Sequence, residues 1–202
     1  MPVDLTVLFK KPFIAPGGDD RFILNRQDSQ IARPGRVLYS DAVDWAVVKG
    51  ITTGVDDTHF APDASCTRAQ MVTFLWRAAG SPEPVVGEHP FTDVPADAYY
   101  AKAVLWAVEK GISEGATGTT FDPNGTVSRA QSVTFLYRLC GEKTEGSSPF
   151  TDVKEDTYYC DAVQWSAAAG VTAGKTADTF APDDDCTRGQ IVTFLHRAIG
   201  QS

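Results

Sequence analysis

Arg68, Arg129 and Arg188 are the residues whose type and spacing most suggest chemistry with a ligand. Each follows a hydroxyl and precedes a glutamine by two positions: Thr67-Arg68-Ala69-Gln70, Ser128-Arg129-Ala130-Gln131 and Thr187-Arg188-Gly189-Gln190. Hydroxyl and glutamine account for themselves as a capping box, in which each closes a backbone N–H of a starting helix. The arginine has no such role, and at the first helical position its charge opposes the positive end of the helix dipole. Two arrangements would compensate it. One is an anionic ligand, held by the guanidinium fork and the free backbone N–H groups of the helix start. The other is an ion pair with an acid of its own loop, Asp63 or Asp183–Asp185, or of an adjacent unit. On the ligand reading, Arg129→Ala weakens binding and leaves thermal stability nearly unchanged.

Other candidates recur in step with these arginines. Trp45, Trp106 and Trp165 lie off the apolar stripe of a preceding helix, where an aromatic ring either stacks on a sugar face or packs on a neighbouring unit. Gly54, Gly115 and Gly174 suit either a turn with positive φ or the close approach of a ligand. Arg77, Arg138 and Arg197 fall in a last helical turn, where a cation suits the dipole, and read as structural. The acidic run Asp183-Asp184-Asp185 lacks the ligand spacing of a calcium loop and reads as a solvated turn. His59, His89 and His196 occupy unrelated positions, and no nucleophile elbow, phosphate loop or paired metal motif is present. Neither catalysis nor a metal or cofactor is expected.

All these residues are positioned by one 42-residue unit written three times, at Tyr39–Gly80, Tyr100–Gly141 and Tyr159–Gly200, with 16 positions identical throughout. The unit opens with a helical stripe; in repeat 2 it is Tyr100, Ala103, Val104, Ala107 and Val108. Asp97 and Asp156 stand three residues earlier as N-cap candidates, and Gly50, Gly111 and Gly170 close the helix. A loop of about 16 residues, pinned by Phe60, Phe121 and Phe180, leads to the capping box and a second helix apolar on most sides. Such a helix needs neighbours all round, so the copies must share a core. The expected fold is all-α: three helix-loop-helix repeats closing into a pseudo-threefold helical prism.

The expected organisation is an N-terminal segment 1–37, poorly ordered or foreign to the repeats, then repeats at 38–80, 91–141 and 150–200. Together 38–202 form one domain. Joints at Ser81–Pro90 and Glu142–Pro149 lead into a Phe-Thr-Asp-Val tether, Phe91–Val94 and Phe150–Val153; repeat 1 has Gln30-Ile31-Ala32-Arg33 there instead. The formal charge is −8, and because residues 1–37 carry +2 the repeats carry about −10. That argues against a phosphate-backbone partner, and nucleic acid is not expected. No apolar run is long enough for a bilayer, so membrane insertion is not expected. Cys66 and Cys186 share a repeat position held by Val127 and read as small buried hydrophobes, whereas Cys140 and Cys160 either form a disulfide or stay free. No signal peptide is visible at the start, which fits either a cytosolic protein or a piece of a longer secreted chain; the second is favoured.

In this order, Phe-Thr-Asp-Val, Tyr-Tyr-x-x-Ala-Val-x-Trp, Gly-Ile-Ser-x-Gly, Phe-x-Pro and Ser/Thr-Arg-Ala-Gln strongly resemble the S-layer homology (SLH) modules of bacterial surface proteins. The resemblance covers roughly residues 38–202. It implies a pseudo-trimeric prism that anchors a secreted, larger cargo protein to the cell wall by binding a secondary wall polysaccharide bearing pyruvyl ketals. The family's tetrad ends in Glu; Gln replaces it in all three copies here. Carried over, the glycan-binding set is Arg68, Arg129, Arg188, Thr67, Ser128, Thr187, Trp45, Trp106, Trp165, Gly54, Gly115 and Gly174, at an extracellular, wall-associated location. The competing reading is a helical scaffold that binds proteins or itself, with the arginines as buried ion-pair partners.

Overall fold

The computed structural model describes residues 37–56, 58–85 and 87–200; the expectation for the N-terminal segment therefore falls almost wholly outside the described residues. Among the described residues six helices appear in three pairs: α1 (Val37–Val48) and α2 (Arg68–Ala78), α3 (Ala101–Glu109) and α4 (Arg129–Cys140), α5 (Cys160–Ala168) and α6 (Arg188–Ile199). No strand is present among the described residues, and the fold is all-α.

The pairs are not self-contained. The first helix of each repeat packs on the second helix of the repeat before it: α3 on α2, α5 on α4 and, closing the ring, α1 on α6. The three second helices meet in the middle. Their inner residues, Met71, Leu75, Leu136, Ile191 and Leu195, are fully buried and belong to one continuous core. An interior built this way removes apolar area from water only when all three repeats are present.

At the centre the chain closes a ring of backbone hydrogen bonds between equivalent residues. The Cys66 N–H donates to the Cys186 carbonyl, Cys186 to Val127, and Val127 to Cys66, each at 2.9 Å. Cys66, Val127 and Cys186 are fully buried, as expected for small hydrophobes. Burial lifts the thiols of Cys66 and Cys186 to about 12 and about 11. All four cysteines are free thiols, so Cys140 and Cys160 are not joined.

The local punctuation is largely as expected. Gly50, Gly111 and Gly170 take positive φ, and the two residues Gly111 and Ile112 return hydrogen bonds to Val108 and Ala107, a Schellman closure repeated in the other copies. Asp97 and Asp156 are not N-caps. The chain turns first, with Ala98 donating to Pro95 and Ala101 to Ala98, so the helix starts only after Tyr100, or Tyr159 in repeat 3, and has no side-chain cap. The stripe marked the helix but could not show that a turn intervenes.

The tethers explain how the long loops stay in place. Asp93 accepts the N–H groups of Phe121 and Asp122, both at 2.8 Å, and Asp152 those of Phe180 and Ala181, at 2.8 and 2.7 Å. Burial opposes ionisation of Asp93, yet these N–H donors prevail and hold its carboxyl below the usual value. Asp122, Ala181 and their counterpart Ala61 sit at positive φ of 58, 57 and 53°, outside the comfortable range of a side-chain-bearing residue.

Candidate functional site

Each capping-box arginine crosses from its own helix into the loop of the next repeat. Arg68 donates from Nε to the Phe121 carbonyl at 2.7 Å, Arg129 to that of Phe180 at 2.8 Å, and Arg188 to that of Phe60 at 3.0 Å. Each guanidinium also lies between two phenylalanine rings: Phe121 and Phe135 for Arg68, Phe180 and Phe194 for Arg129, Phe60 and Phe74 for Arg188, all within 5.7 Å of a ring centroid. Their residual exposure is 5, 5 and 3%, and desolvation lowers the pKa of all three.

Two sequence expectations change here. The backbone N–H groups at the helix starts are not free for a ligand. Those of Arg68 and Ala69 go to the carbonyls of Gly125 and Pro123, those of Arg129 and Ala130 to Asp184 and Pro182, and those of Arg188 and Gly189 to Ala64 and Pro62. The third N–H goes to the hydroxyl of Thr67, Ser128 or Thr187, and each Gln closes the box in return. A capped start in an interlocked ring spends its donors on the neighbouring loop. Nor do the arginines pair with loop acids: among the described residues none of the three comes within 4.0 Å of a carboxylate. Of the acidic run, Asp184 pairs with Lys175, and Asp185 accepts from Thr126 at 2.9 Å.

The other candidates divide by exposure. Trp106 and Trp165 are buried; Trp165 packs 5.9 Å from Tyr137, and half-buried Trp45 packs 5.0 Å from His196. Trp45 and Trp165 thus hold one repeat against the next, and the burial of Trp106 and Trp165 leaves little of their ring faces exposed. Gly115 and Gly174 have positive φ, and a Cβ there would strike the rings of Phe91 and Phe150. Gly54, at φ 93°, would bring a Cβ against the His59 and Asp56 carbonyls. Turn geometry and close packing account for these glycines. Arg77, Arg138 and Arg197 bond the carbonyls of Ile51, Ile112 and Val171, tying each second helix to the end of the first.

Some surface features went unread in the sequence. Tyr99 and Tyr158 are 63 and 64% exposed, each standing edge-on to the next tyrosine. Tyr158 lies near enough to Arg138 and Arg68 to sense their charge, and Tyr99 to Arg188 and Arg77. The Tyr-Tyr doublet was the signal, because its first member precedes the apolar stripe. An open cleft of about 550 Å³ on repeat 3 is lined by Pro149, Phe150, Gly170, Thr172, Ala177 and Arg197. Thr172 in its wall is also the hydroxyl 3.5 Å from Nη2 of Arg129, so the cleft reaches toward that guanidinium.

A closed ring of three helix-loop-helix units, each sending an arginine into the next, defines a repeat module with inter-repeat surfaces. The model of the S-layer homology domain matches residues 38–72, 90–131 and 149–192, more than half of the chain, and the chain belongs to that family. SLH domains are non-catalytic modules that anchor proteins to the cell surface. The chain is 33% identical over 113 residues to a surface-layer 125 kDa protein of Lysinibacillus sphaericus, covering 55% of this chain and 10% of that protein. It is 34% identical over 170 residues to an amylopullulanase of Thermoanaerobacterium thermosulfurigenes, covering 80% and 9%. With an S-layer protein of Bacillus thuringiensis subsp. finitimus the identity is 28% over 161 residues, covering 77% and 19%. The chain thus spans a fifth or less of these relatives.

Proposed function

We propose that the chain anchors a larger, secreted cargo protein to the cell wall by binding an anionic secondary polysaccharide, with pyruvyl ketal carboxylates as the recognised groups. The observation that carries this is the set of three guanidinium groups at the inter-repeat junctions, none balanced by a carboxylate within 4.0 Å among the described residues. A buried cation without a counter-ion favours an anion at the surface above it. With the helix N–H groups already engaged, Arg68, Arg129 and Arg188 act as fixed positive floors beneath the grooves. Exposed Tyr99 and Tyr158 supply sugar-stacking faces in place of the buried Trp106 and Trp165. Arg197 and Thr172 present donors in the open cleft. Because the module as a whole is acidic, recognition is local rather than steered by net charge.

Calorimetric titration of the folded chain with a pyruvylated wall glycan, against the same glycan stripped of its ketals, tests this. Binding that vanishes with the ketals is expected. Equal binding to both, or to neither, overturns it.

A further inference from the structure

The repeats provide an internal comparison at the tether. In repeats 2 and 3 the Phe-Thr-Asp-Val segment seats in a slot on its own loop. Its Asp takes two N–H groups, as given above. Its Thr donates a backbone N–H to the Thr119 or Asp178 carbonyl at 2.9 Å, and its Phe ring lies 5.6 or 5.7 Å from Phe121 or Phe180. Repeat 1 keeps the receptor half of this arrangement. Ala61 has the same left-handed φ as Asp122 and Ala181, and Phe60 turns its carbonyl to Arg188 as its counterparts do to Arg68 and Arg129.

The plug half is not encoded. Pro34 holds the register of Pro95, but Gln30-Ile31-Ala32-Arg33 supplies neither ring nor carboxylate. Among the described residues the N–H groups of Phe60 and Ala61 meet no acceptor. Phe60 is 8% exposed, where Phe121 and Phe180 are 0%. Beside the slot, Nη2 of Arg188 is buried with no hydrogen-bond partner, whereas Nη2 of Arg68 and Arg129 reaches Ser113 and Thr172 at 3.5 Å. Arg68 and Arg129 also sense Asp93 with Asp122 and Asp152 with Asp184; Arg188 senses only Cys66 and Tyr99. Shape, open donors and unbalanced charge agree on what is lacking: an extended segment that carries a carboxylate.

We propose that the repeat-1 slot is a docking site for an extended peptide of another polypeptide, with Phe two residues ahead of Asp. The peptide aspartate caps the Phe60 and Ala61 N–H groups and offsets the charge of Arg188, and the peptide phenylalanine covers Phe60. The chain writes the occupant's chemistry twice, at Phe91–Val94 and Phe150–Val153, but both copies are engaged by their own loops.

The test is an amide NMR titration of the full chain with a peptide copying residues 90–98. Saturable downfield shifts of the Phe60 and Ala61 amide protons are expected. The same peptide with Asn in place of its tether Asp should bind about tenfold more weakly or worse, because a charge-assisted pair of hydrogen bonds becomes neutral. A full-chain Gln30→Phe, Ala32→Asp variant places ring and carboxylate in cis and should exclude the peptide. Absence of saturable shifts, or equal binding by the Asn peptide, overturns the proposal. Pyruvylated glycan, titrated separately, should shift amides at the Arg68 and Arg129 junctions with or without the peptide, so wall binding at those two junctions and peptide docking beside Arg188 fail or hold independently.

Discussion

At the residue scale, the arginines are the clearest case of a sequence signal with two meanings. An arginine at the first helical position is unexplained by a capping box, and that puzzle was readable. Its resolution was not, because the compensating groups are carbonyls and rings of the next repeat, over 40 residues away. Burial between two rings also revises the expected effect of substitution. Arg129→Ala loses a charge-assisted hydrogen bond and two ring contacts, so it should lower stability as well as glycan affinity. Removing the charge while keeping the stem separates the three sites. Arg129→Met should cost about 1–3 kcal/mol in urea unfolding. Arg188→Met should cost distinctly less, since it also removes a buried donor that has no partner. Equal losses would contradict the difference between the grooves.

At the element scale, each tether aspartate fastens a loop that has no regular structure of its own. Asp93→Ala should destabilise the protein by about 1–3 kcal/mol, because two N–H groups lose an ionised acceptor. The sign with pH follows from the lowered pKa of Asp93. Its contribution is full above the ordinary carboxyl value of 3.8 and is lost as pH falls through the lower native value. Urea unfolding from pH 6 to pH 2 should therefore show the gap between wild type and Asp93→Asn closing only in the acid range. A gap unchanged with pH would show that the carboxylate charge is irrelevant. The repeat-1 loop uses a different device: the Thr58 N–H, then the His59 ring, and less strongly the His59 N–H, bond Asp56 and hold its carboxyl at about 2. The first-helix stripe, the capping boxes and the glycine stops were legible because each depends on residues within one turn. The turn that displaces Asp97 from the cap was not, since the Ala98–Pro95 and Ala101–Ala98 bonds leave no periodic trace.

At the scale of the whole molecule, closure is what folds. Every first helix covers a second helix of another repeat, and the central hydrogen-bond ring needs one residue from each repeat. A chain ended at Gly141 loses the Cys186 carbonyl for Cys66, the cover for Trp45 and the partners of α1. It should show little cooperative helicity by circular dichroism, whereas the full chain unfolds in one transition. Two-thirds of the native helix signal in the shortened chain would refute interdependence. Inequality between the repeats also belongs to this scale. Gly189 stands where the others have alanine because a Cβ there would come within 3.1 Å of Tyr39 and Pro62, where α1 closes on α6.

By itself the sequence determined the threefold repetition, the helix pairs and their caps, and membership in a motif string that spans three units. These depend on spacing and on contacts a few residues apart, which a linear pattern records. The tertiary structure decided which repeat each helix covers, where the arginine charges lie and which aromatic rings face solvent. Those outcomes depend on contacts between residues some 30 to 130 positions apart, as between Arg188 and Phe60, and ring closure alone sets them.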